Sequence, residues 1–349
     1  MHLSCEWCVY ICHSPTGTVI FSVHVDDIFS TASSATENDR FAALLKSRWE
    51  ISELRPAKFA LSIAFLRDHP ARTITLSQTT FINKVVNRFN LSNTHPCDMP
   101  MVTRLILRRP DKTAPVPPEV LEWQARTPYR ALIGTLNYIA VATHPDIAFA
   151  VGHLSSAMDC YMPDHWSAAI QVVRYLKGTW TMGLTLGGTN PLRLVGYSDS
   201  DYTNCPVTSH SISGYCFTLG SGTIFWMSKK QHVVANSSCY AEYIALHDSS
   251  HELVFLRQLL TGLGFGPTSP TPILCDNDAA QRLAEDHVGH PNVKHIRVKF
   301  HYIHDLVEEG TASLMHVHSQ DNTADIFTKA LAHGDFQRLQ SYLGVWHSP

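Results

Sequence analysis

The sequence has no apolar stretch long enough to cross a bilayer, because every long run is broken by a charge, a proline or a glycine. Its first residues carry no basic region followed by an apolar core, which argues against a secretory signal. The expectation is therefore an intracellular protein, cytoplasmic or nuclear, with no membrane partner. Charge is sparse at 16% of residues, and the net charge is −3 with histidines neutral. Such a chain can meet phosphates only through local cationic patches, not through a general basic excess. Aspartate is absent before Asp26, and Glu6 is the sole acid ahead of it. Disulfides are not needed in a 349-residue intracellular chain, so the nine cysteines read as small apolar residues. Cys5, Cys8 and Cys12 with His13 fit no structural zinc spacing, and the segment also reads as a strand.

What is present is a globular composition, 44% hydrophobic, with length for two or three domains. The first segment reads as a hairpin, Val19–Val25 and Ile28–Thr31, interrupted by Asp26-Asp27. A helix follows, capped by Ser34 or Thr36, with Phe41, Leu44, Leu45 and Trp49 on one face. Strands are expected near Phe59–Leu66 and Thr73–Leu76, and helical spacing returns over Phe81–Phe89. Six prolines between His95 and Glu119 forbid helix interior and central strand, so this stretch is a linker or surface loop. Helices are predicted over Tyr129–Ala142, Pro145–Met158 and Asp164–Leu176.

From Leu192 the order becomes strand-rich. A strand over residues 192–198 runs into Ser198-Asp199-Ser200-Asp201, and a hairpin follows, Gly214–Leu219 and Thr223–Met227. A long helix is predicted over Ser237–Leu260, then a short strand ending at Asp276 and two helices flanking a loop near Gly289–Pro291. Ser313–His318 is the last predicted strand and Ala324–Leu331 the last helix. Two cationic runs stand out, Lys229-Lys230-Gln231-His232 and one containing Lys294, His295, Arg297, Lys299 and His301. Either run by itself is also what a solvated charged face looks like.

Four carboxylates stand where a structural role is costly. Asp199 and Asp276 end apolar strands, where sites form in α/β sheets. Glu242 lies on the stripe Cys239, Glu242, Leu246, Ser249, Leu253, Leu256 and Leu260, whose lower part is a core face. A carboxylate carried on that stripe needs a cation or hydrogen bonds. Asp325 opens a predicted helix, where a helix-charge role competes with a functional one. Together the four can converge on two divalent cations about 4 Å apart, as phosphodiester hydrolysis requires. Hard oxygen ligands suit two magnesium ions, with manganese as the alternative.

At this point the motifs resemble a family. Leu194–Asp201, Ser213-Gly214-Tyr215 and Trp226–Gln231 are similar to the ribonuclease H domain of copia-type LTR retrotransposons. So are Ala241-Glu242-Tyr243, Cys275-Asp276-Asn277, Lys294-His295-Ile296 and Ala324–Lys329, in the family's order. The front half resembles the reverse transcriptase of the same elements, through His24-Val25-Asp26-Asp27, Leu76-Ser77-Gln78, Pro128-Tyr129-Arg130, Ile133–Tyr138, His144–Ile147 and Arg174–Thr179. The resemblance implies an α/β chain: an α+β palm and thumb remnant, followed by a ribonuclease H-like domain with a mixed five-stranded sheet and flanking helices. It divides the chain into a partial palm and start of thumb (1–95), a proline-rich linker (96–125), a helical connection (126–190) and the nuclease domain (191–349). It implies that Asp199, Glu242, Asp276 and Asp325 are the catalytic, metal-binding set, and that the partner is an RNA–DNA hybrid alongside other polyprotein parts. Lys229, Lys230, Lys294 and His295 are the expected nucleic-acid contacts.

The departures are specific. Asp26 and Asp27 keep two of the polymerase carboxylates, but a third has no upstream candidate, so polymerisation is expected to be lost. His24 stands for an aromatic, Ser62 for a glycine and His144 for an arginine. Tyr202-Thr203-Asn204 replaces Trp-Ala-Gly, and Cys239-Tyr240 replaces Thr-Glu. These changes resemble drift in a decaying copy and leave the four nuclease carboxylates intact. A transposase or integrase would place its glutamate last, whereas the order here is Asp, Glu, Asp, Asp. The alternative of another class is a non-catalytic nucleic-acid-binding remnant.

Overall fold

The computed structural model describes residues 2–51, 56–103, 105–107, 116–202, 210–285 and 297–347, with the side chains of residues 283, 285 and 297–301 outside that description. The chain divides into two compact units: Met1–Lys58 with His251–Ser269, and Phe59–Ser250 with Pro270–Pro349.

In the first unit, β1 (Val9–Ser14), β2 (Gly17–His24) and β3 (Asp27–Ala32) form an antiparallel meander. The β2–β3 hairpin matches the sequence expectation, with His24 paired to Asp27 across the turn. Helix α1 (Ala35–Arg48) starts where expected, since the Ser34 side chain accepts from Glu37 N. Phe41 and Leu45 pack on Val19 and Phe21. The expected face is narrower than the sequence suggests, because Leu44 and Trp49 are exposed. The buried stripe is Glu37, Phe41 and Leu45, spaced by four. The chain turns extended at Trp49, which takes that residue off the helix. Buried Glu37 accepts hydrogen bonds from Ser14 and Thr16, which hold its carboxyl below the ordinary range.

The second unit holds two five-stranded sheets. Strands β4 (Phe59–Ala60), β5 (Ile63–Asp68) and β6 (Thr73–Ser77) precede the helices α2 (Thr79–Arg88), α3 (Pro118–Arg126), α4 (Tyr129–Ala142), α5 (Ala148–Ser155) and α6 (Pro163–Gly178). Helix α3 lies in the stretch read as linker, because Pro118 sits in its first turn, where the missing N–H costs nothing. A 3-10 turn, Pro145–Ile147, precedes α5, so the predicted helix from Pro145 is shorter than expected. Then come β7 (Met182–Gly187), β8 (Leu194–Asp201), β9 (Ile212–Leu219), β10 (Gly222–Lys230), α7 (Ser238–Gly262, whose residues from His251 on belong to the first unit), β11 (Thr271–Cys275), α8 (Asp278–Glu285), α9 (Arg297–Glu308), β12 (Ala312–His316), α10 (His333–Tyr342) and β13 (Val345–His347).

One sheet has the order β13-β7-β6-β5-β4 and is antiparallel throughout. The other has the order β10-β9-β8-β11-β12, antiparallel across β10, β9 and β8 and parallel across β8, β11 and β12. The fold is thus α/β with a mixed five-stranded sheet, as expected. Its largest core joins α2, α4, α5, α6 and α10 through residues such as Ile82, Leu132, Leu136, Val172 and Leu339, none more than 1% exposed. Each fully buried side chain of this kind is worth about 1.5–3 kcal/mol.

The predicted helix at Ala324–Leu331 is instead a 3-10 turn, Thr323–Phe327, and α10 follows it. Strands β7 and β13 had no clear sequence signal. Their residues are short, glycine-bounded and only half alternating.

Candidate active site

Strand β8 carries Asp199 opposite Gly214 of β9. A Cβ on Gly214 would lie 2.6 Å from Thr328 Cγ2 and 2.8 Å from the Ala324 carbonyl oxygen. Glycine there lets the 3-10 turn lie flat on β9, which brings Asp325 beside Asp199. Asn322 fixes the start of that turn: its Nδ2 donates to the Ser198 carbonyl at 3.0 Å, and its Oδ1 accepts from Ala324 N at 3.1 Å. Gln231 ties three segments together, donating from Nε2 to Ser213 Oγ and to the Ala241 carbonyl, both at 2.9 Å. Ser237 receives Tyr240 N at 3.3 Å and so starts α7 in the register that turns Glu242 inward. Asn277 accepts from Ala280 N at 3.0 Å and opens α8 directly after Asp276.

These elements bring Asp199, Glu242 and Asp276 together, with one carboxylate oxygen of each within 4.8 Å of the others. Asp199 is 3% exposed and Glu242 6%, whereas Asp276 is half-buried. The helix stripe read from the sequence is correct: Leu246, Ser249 and Leu253 are fully buried and Leu256 and Leu260 nearly so. Burial, then the neighbouring charges of Asp199 and Asp276, push the Glu242 carboxyl well above the ordinary range. Burial and the charge of Asp325 do the same to Asp199, against the opposing pull of Lys329 and Thr328. Glu242 Oε2 is buried with no hydrogen-bond partner among the described residues. Three crowded carboxylates, one with an oxygen that lacks a hydrogen-bond partner, make a donor set that fits a hard divalent cation.

Asp325 is placed differently. It contacts Asp199, but its Oδ1 accepts from Lys329 Nζ at 2.9 Å. Burial works against the Lys329 ammonium, yet Asp199 and Asp325 outweigh it and hold the group above its ordinary value. Thr328 Oγ1 donates to Asp199 Oδ2 at 2.6 Å, and Ser319 Oγ donates to Asp276 Oδ2. Sequence reading quoted Thr328 and Lys329 within a motif without a role, and missed Ser319 and Asn322. The hint for the lysine was its place four residues after an acid.

Lys229 pairs with Ser213, which pairs with Ser200, and Lys230, Ile212 and Asp201 make the next row. The two lysines therefore edge the carboxylate end of the sheet, about 10 Å across two strand spacings. Lys294 and His295 lie outside the described residues. Asp26 and Asp27 are exposed at the β2–β3 turn and, among the described residues, join no trio of metal-ligating side chains. A second trio, His304, Asp305 and Glu308, lies on one surface of α9 with His304 3.9 Å from each acid, which is ordinary helix-surface pairing.

Fold and site together define an α/β protein with an acidic cluster at the strand ends of a mixed sheet. Residues 2–103 match the reverse transcriptase (RNA-dependent DNA polymerase) family. The chain is 32% identical over 339 residues to the retrovirus-related Pol polyprotein from transposon TNT 1-94 of Nicotiana tabacum, covering 97% of this chain and 25% of that protein. It is 35% identical over 329 residues to the corresponding polyprotein from transposon RE2 of Arabidopsis thaliana, covering 94% and 22%. The chain belongs to the retrovirus-related Pol polyprotein family of copia-type transposons, and it spans about a quarter of the length of these curated relatives. Among solved structures, a ribonuclease H1 isolated from compost is 18% identical, covering 39% of this chain and 93% of its own, at a TM-score of 0.31. A likeness of that size bears no weight on the site.

Proposed function

We propose that residues 191–349 act as a metal-dependent ribonuclease H-type endonuclease that cuts the RNA strand of an RNA–DNA hybrid. The observation that carries this reading is the trio Asp199, Glu242 and Asp276, buried or half-buried and crowded, with Lys329 offsetting only part of the charge at Asp199 and Glu242 Oε2 left without a hydrogen-bond partner. Structural carboxylates are buried with donors. Here Thr328 donates to Asp199 and Ser200 to Glu242, yet desolvation and mutual repulsion outweigh them and raise both carboxyls, a pattern that cation-binding sites share.

Asp199, Glu242 and Asp276 would hold one magnesium ion, and Asp199 with Asp325 a second. Bound there, such ions supply an acidified water and neutralise charge on the leaving oxygen. The chain's own residues orient the ligands. Thr328 fixes one oxygen of Asp199, Ser319 fixes one of Asp276, and Asn322 anchors the turn that carries Asp325. Lys229 and Lys230 supply positive charge for a phosphate backbone laid along the same sheet edge.

The test is cleavage of a labelled RNA–DNA hybrid by the full chain. Magnesium-dependent cuts in the RNA strand, abolished by chelator and by Asp199→Asn, are the expected result. Hybrid binding without cleavage would instead identify a non-catalytic nucleic-acid-binding remnant.

A further inference from the structure

The four carboxylates are not equivalent. Asp199, Glu242 and Asp276 form a trio in which Glu242 Oε2 has no partner, and among the described residues neither Glu242 nor Asp276 has a lysine or arginine within ion-pair distance. Asp325 interacts with Asp199 but stands outside the trio, and it is already gripped by the Lys329 ammonium at 2.9 Å. Lys329 lies just past the 3-10 turn that carries Asp325 and reaches back to it over four positions, and Thr328 between them pins Asp199 through its hydroxyl. One short segment therefore delivers a carboxylate, a hydroxyl and a cation to a single edge of the site.

We infer that Lys329 is an internal counter-cation that occupies the Asp199–Asp325 half of the site, so that divalent ions must enter in order. The first ion goes to the trio, where nothing has to leave. A second ion reaches Asp199 and Asp325 only when the ammonium withdraws. That withdrawal is open to it. The Lys329 side chain is 41% exposed while Asp325 is 12% exposed, so the stem already reaches from solvent and can swing back along its four methylenes. A single positive charge at a water-facing edge balances the repulsion between Asp199 and Asp325 in the metal-free protein, and a doubly charged ion displaces it by making the same contacts with twice the charge. Lys329 is thus a positioning residue. It keeps Asp325 near Asp199 without metal and lowers the affinity for the second ion. This inference rests on the metal-dependent reading above, and its test separates the two.

The experiment titrates the full 349-residue chain with manganese alone, following bound ion by electron paramagnetic resonance and fold stability by thermal melting. Lys329→Met keeps the apolar stem and removes the charge. It should tighten the second ion by about tenfold, the scale of one partly buried charge pair, and lower the melting temperature in chelator. Lys329→Arg keeps the charge and should restore the weaker second ion. A second measurement needs no variant: in the wild type, acetylation of Lys329 by an amine reagent, read by mass spectrometry, should be slow in chelator and rise over the manganese range that fills the second site. If manganese binds but Lys329→Met binds it as the wild type does, or if acetylation of Lys329 does not rise, the counter-cation role is overturned and the metal site stands. If the wild type binds no manganese, both readings fall together.

Discussion

Two groups of buried carboxylates sit in the same unit, and the protein treats them in opposite ways. Asp146 is fully buried, and its carboxylate is saturated with donors. Tyr175 OH and Gln340 Nε2, the latter at 2.7 Å, reach Oδ2, and His144 Nδ1 lies 3.3 Å from Oδ1. Burial would raise this carboxyl, but hydrogen bonds from His144, Tyr175 and Gln340 outweigh it and hold the group below its ordinary value. Asp199 and Glu242 are nearly as buried, and there burial, reinforced by neighbouring carboxylates, drives both the other way. A carboxylate with partners on every side is part of the frame. One that faces other carboxylates is part of the chemistry.

The strongest way to break this contrast is at Asp199. Asp199→Asn should reduce hybrid cleavage to background while the fold survives in chelator. Asp201→Asn, two residues along on a strand and outside the trio, should only weaken cleavage. Asp26→Asn and Asp27→Asn, at an exposed turn, should leave cleavage unchanged. An inactive Asp26→Asn beside an active Asp199→Asn would move the catalytic carboxylates to the β2–β3 turn.

The frame carboxylate should behave inversely. Asp146→Ala strands Tyr175, Gln340 and His144, and should cost about 2–4 kcal/mol in denaturant melts without altering the response to metal. Its pH signature follows from the sign of the shift. A carboxyl held below its unfolded value adds stability that is fully present above about pH 4 and is lost as pH falls through the folded value. Acid unfolding of Asp146→Asn should therefore be flatter than that of the wild type below about pH 4. Equal slopes would mean that Asp146 is not charged in the fold.

Glu242→Gln sharpens the comparison from the other side. The variant keeps the shape and removes a buried charge that Asp199 and Asp276 crowd and whose Oε2 has no hydrogen-bond partner, so it should melt at or above the wild-type temperature in chelator, by about 2–4 °C if the relief is near 1 kcal/mol. Magnesium should stabilise the wild type and do much less for the variant. A variant that unfolds without metal would make Glu242 a frame residue like Asp146.

The smallest effect concerns a position far from both groups in chemistry. Ser62 stands where the resemblance expects glycine, and its φ is +59° in the turn between β4 and β5. Ser62→Gly should stabilise the chain by about 1 kcal/mol, read as a shift in denaturant midpoint.

These contrasts also mark how far the sequence could be read. Long periodic features were legible. The stripe of α7, the β9–β10 hairpin, the capping Ser34 and the strands leading to Asp199 and Asp276 all follow from spacing, although β8 runs past Asp199 to Asp201. What was not legible depends on contacts remote in the chain. The turn at Thr323–Phe327 read as a helix, because its residues have helical spacing. Its true shape is set by Gly214 beneath it and by Asn322 bonded to Ser198, more than a hundred positions away. The saturation of Asp146 by Gln340, 194 positions away, is likewise a tertiary fact, whereas the lysine paired with Asp325 is local and was overlooked. Leu44 and Trp49 misled for a simpler reason: apolar residues beside a short meander outnumber the places where it can bury them.

One consequence of the antiparallel sheet is kinetic. Its strand order, β13-β7-β6-β5-β4, joins residues near 64, 75, 185 and 345, and the Thr75–Thr185 hydroxyl contact alone closes a loop of 110 residues. A strand made early in synthesis must therefore wait for one made late, and β7 has an unpaired edge until β13 has been translated. Such high contact order slows folding and leaves β4, β5 and β6 exposed during elongation. A chain cut at residue 190 would part β7 from β13 and leave that edge open for good, so the two halves should be produced together and should regain structure slowly after dilution from denaturant.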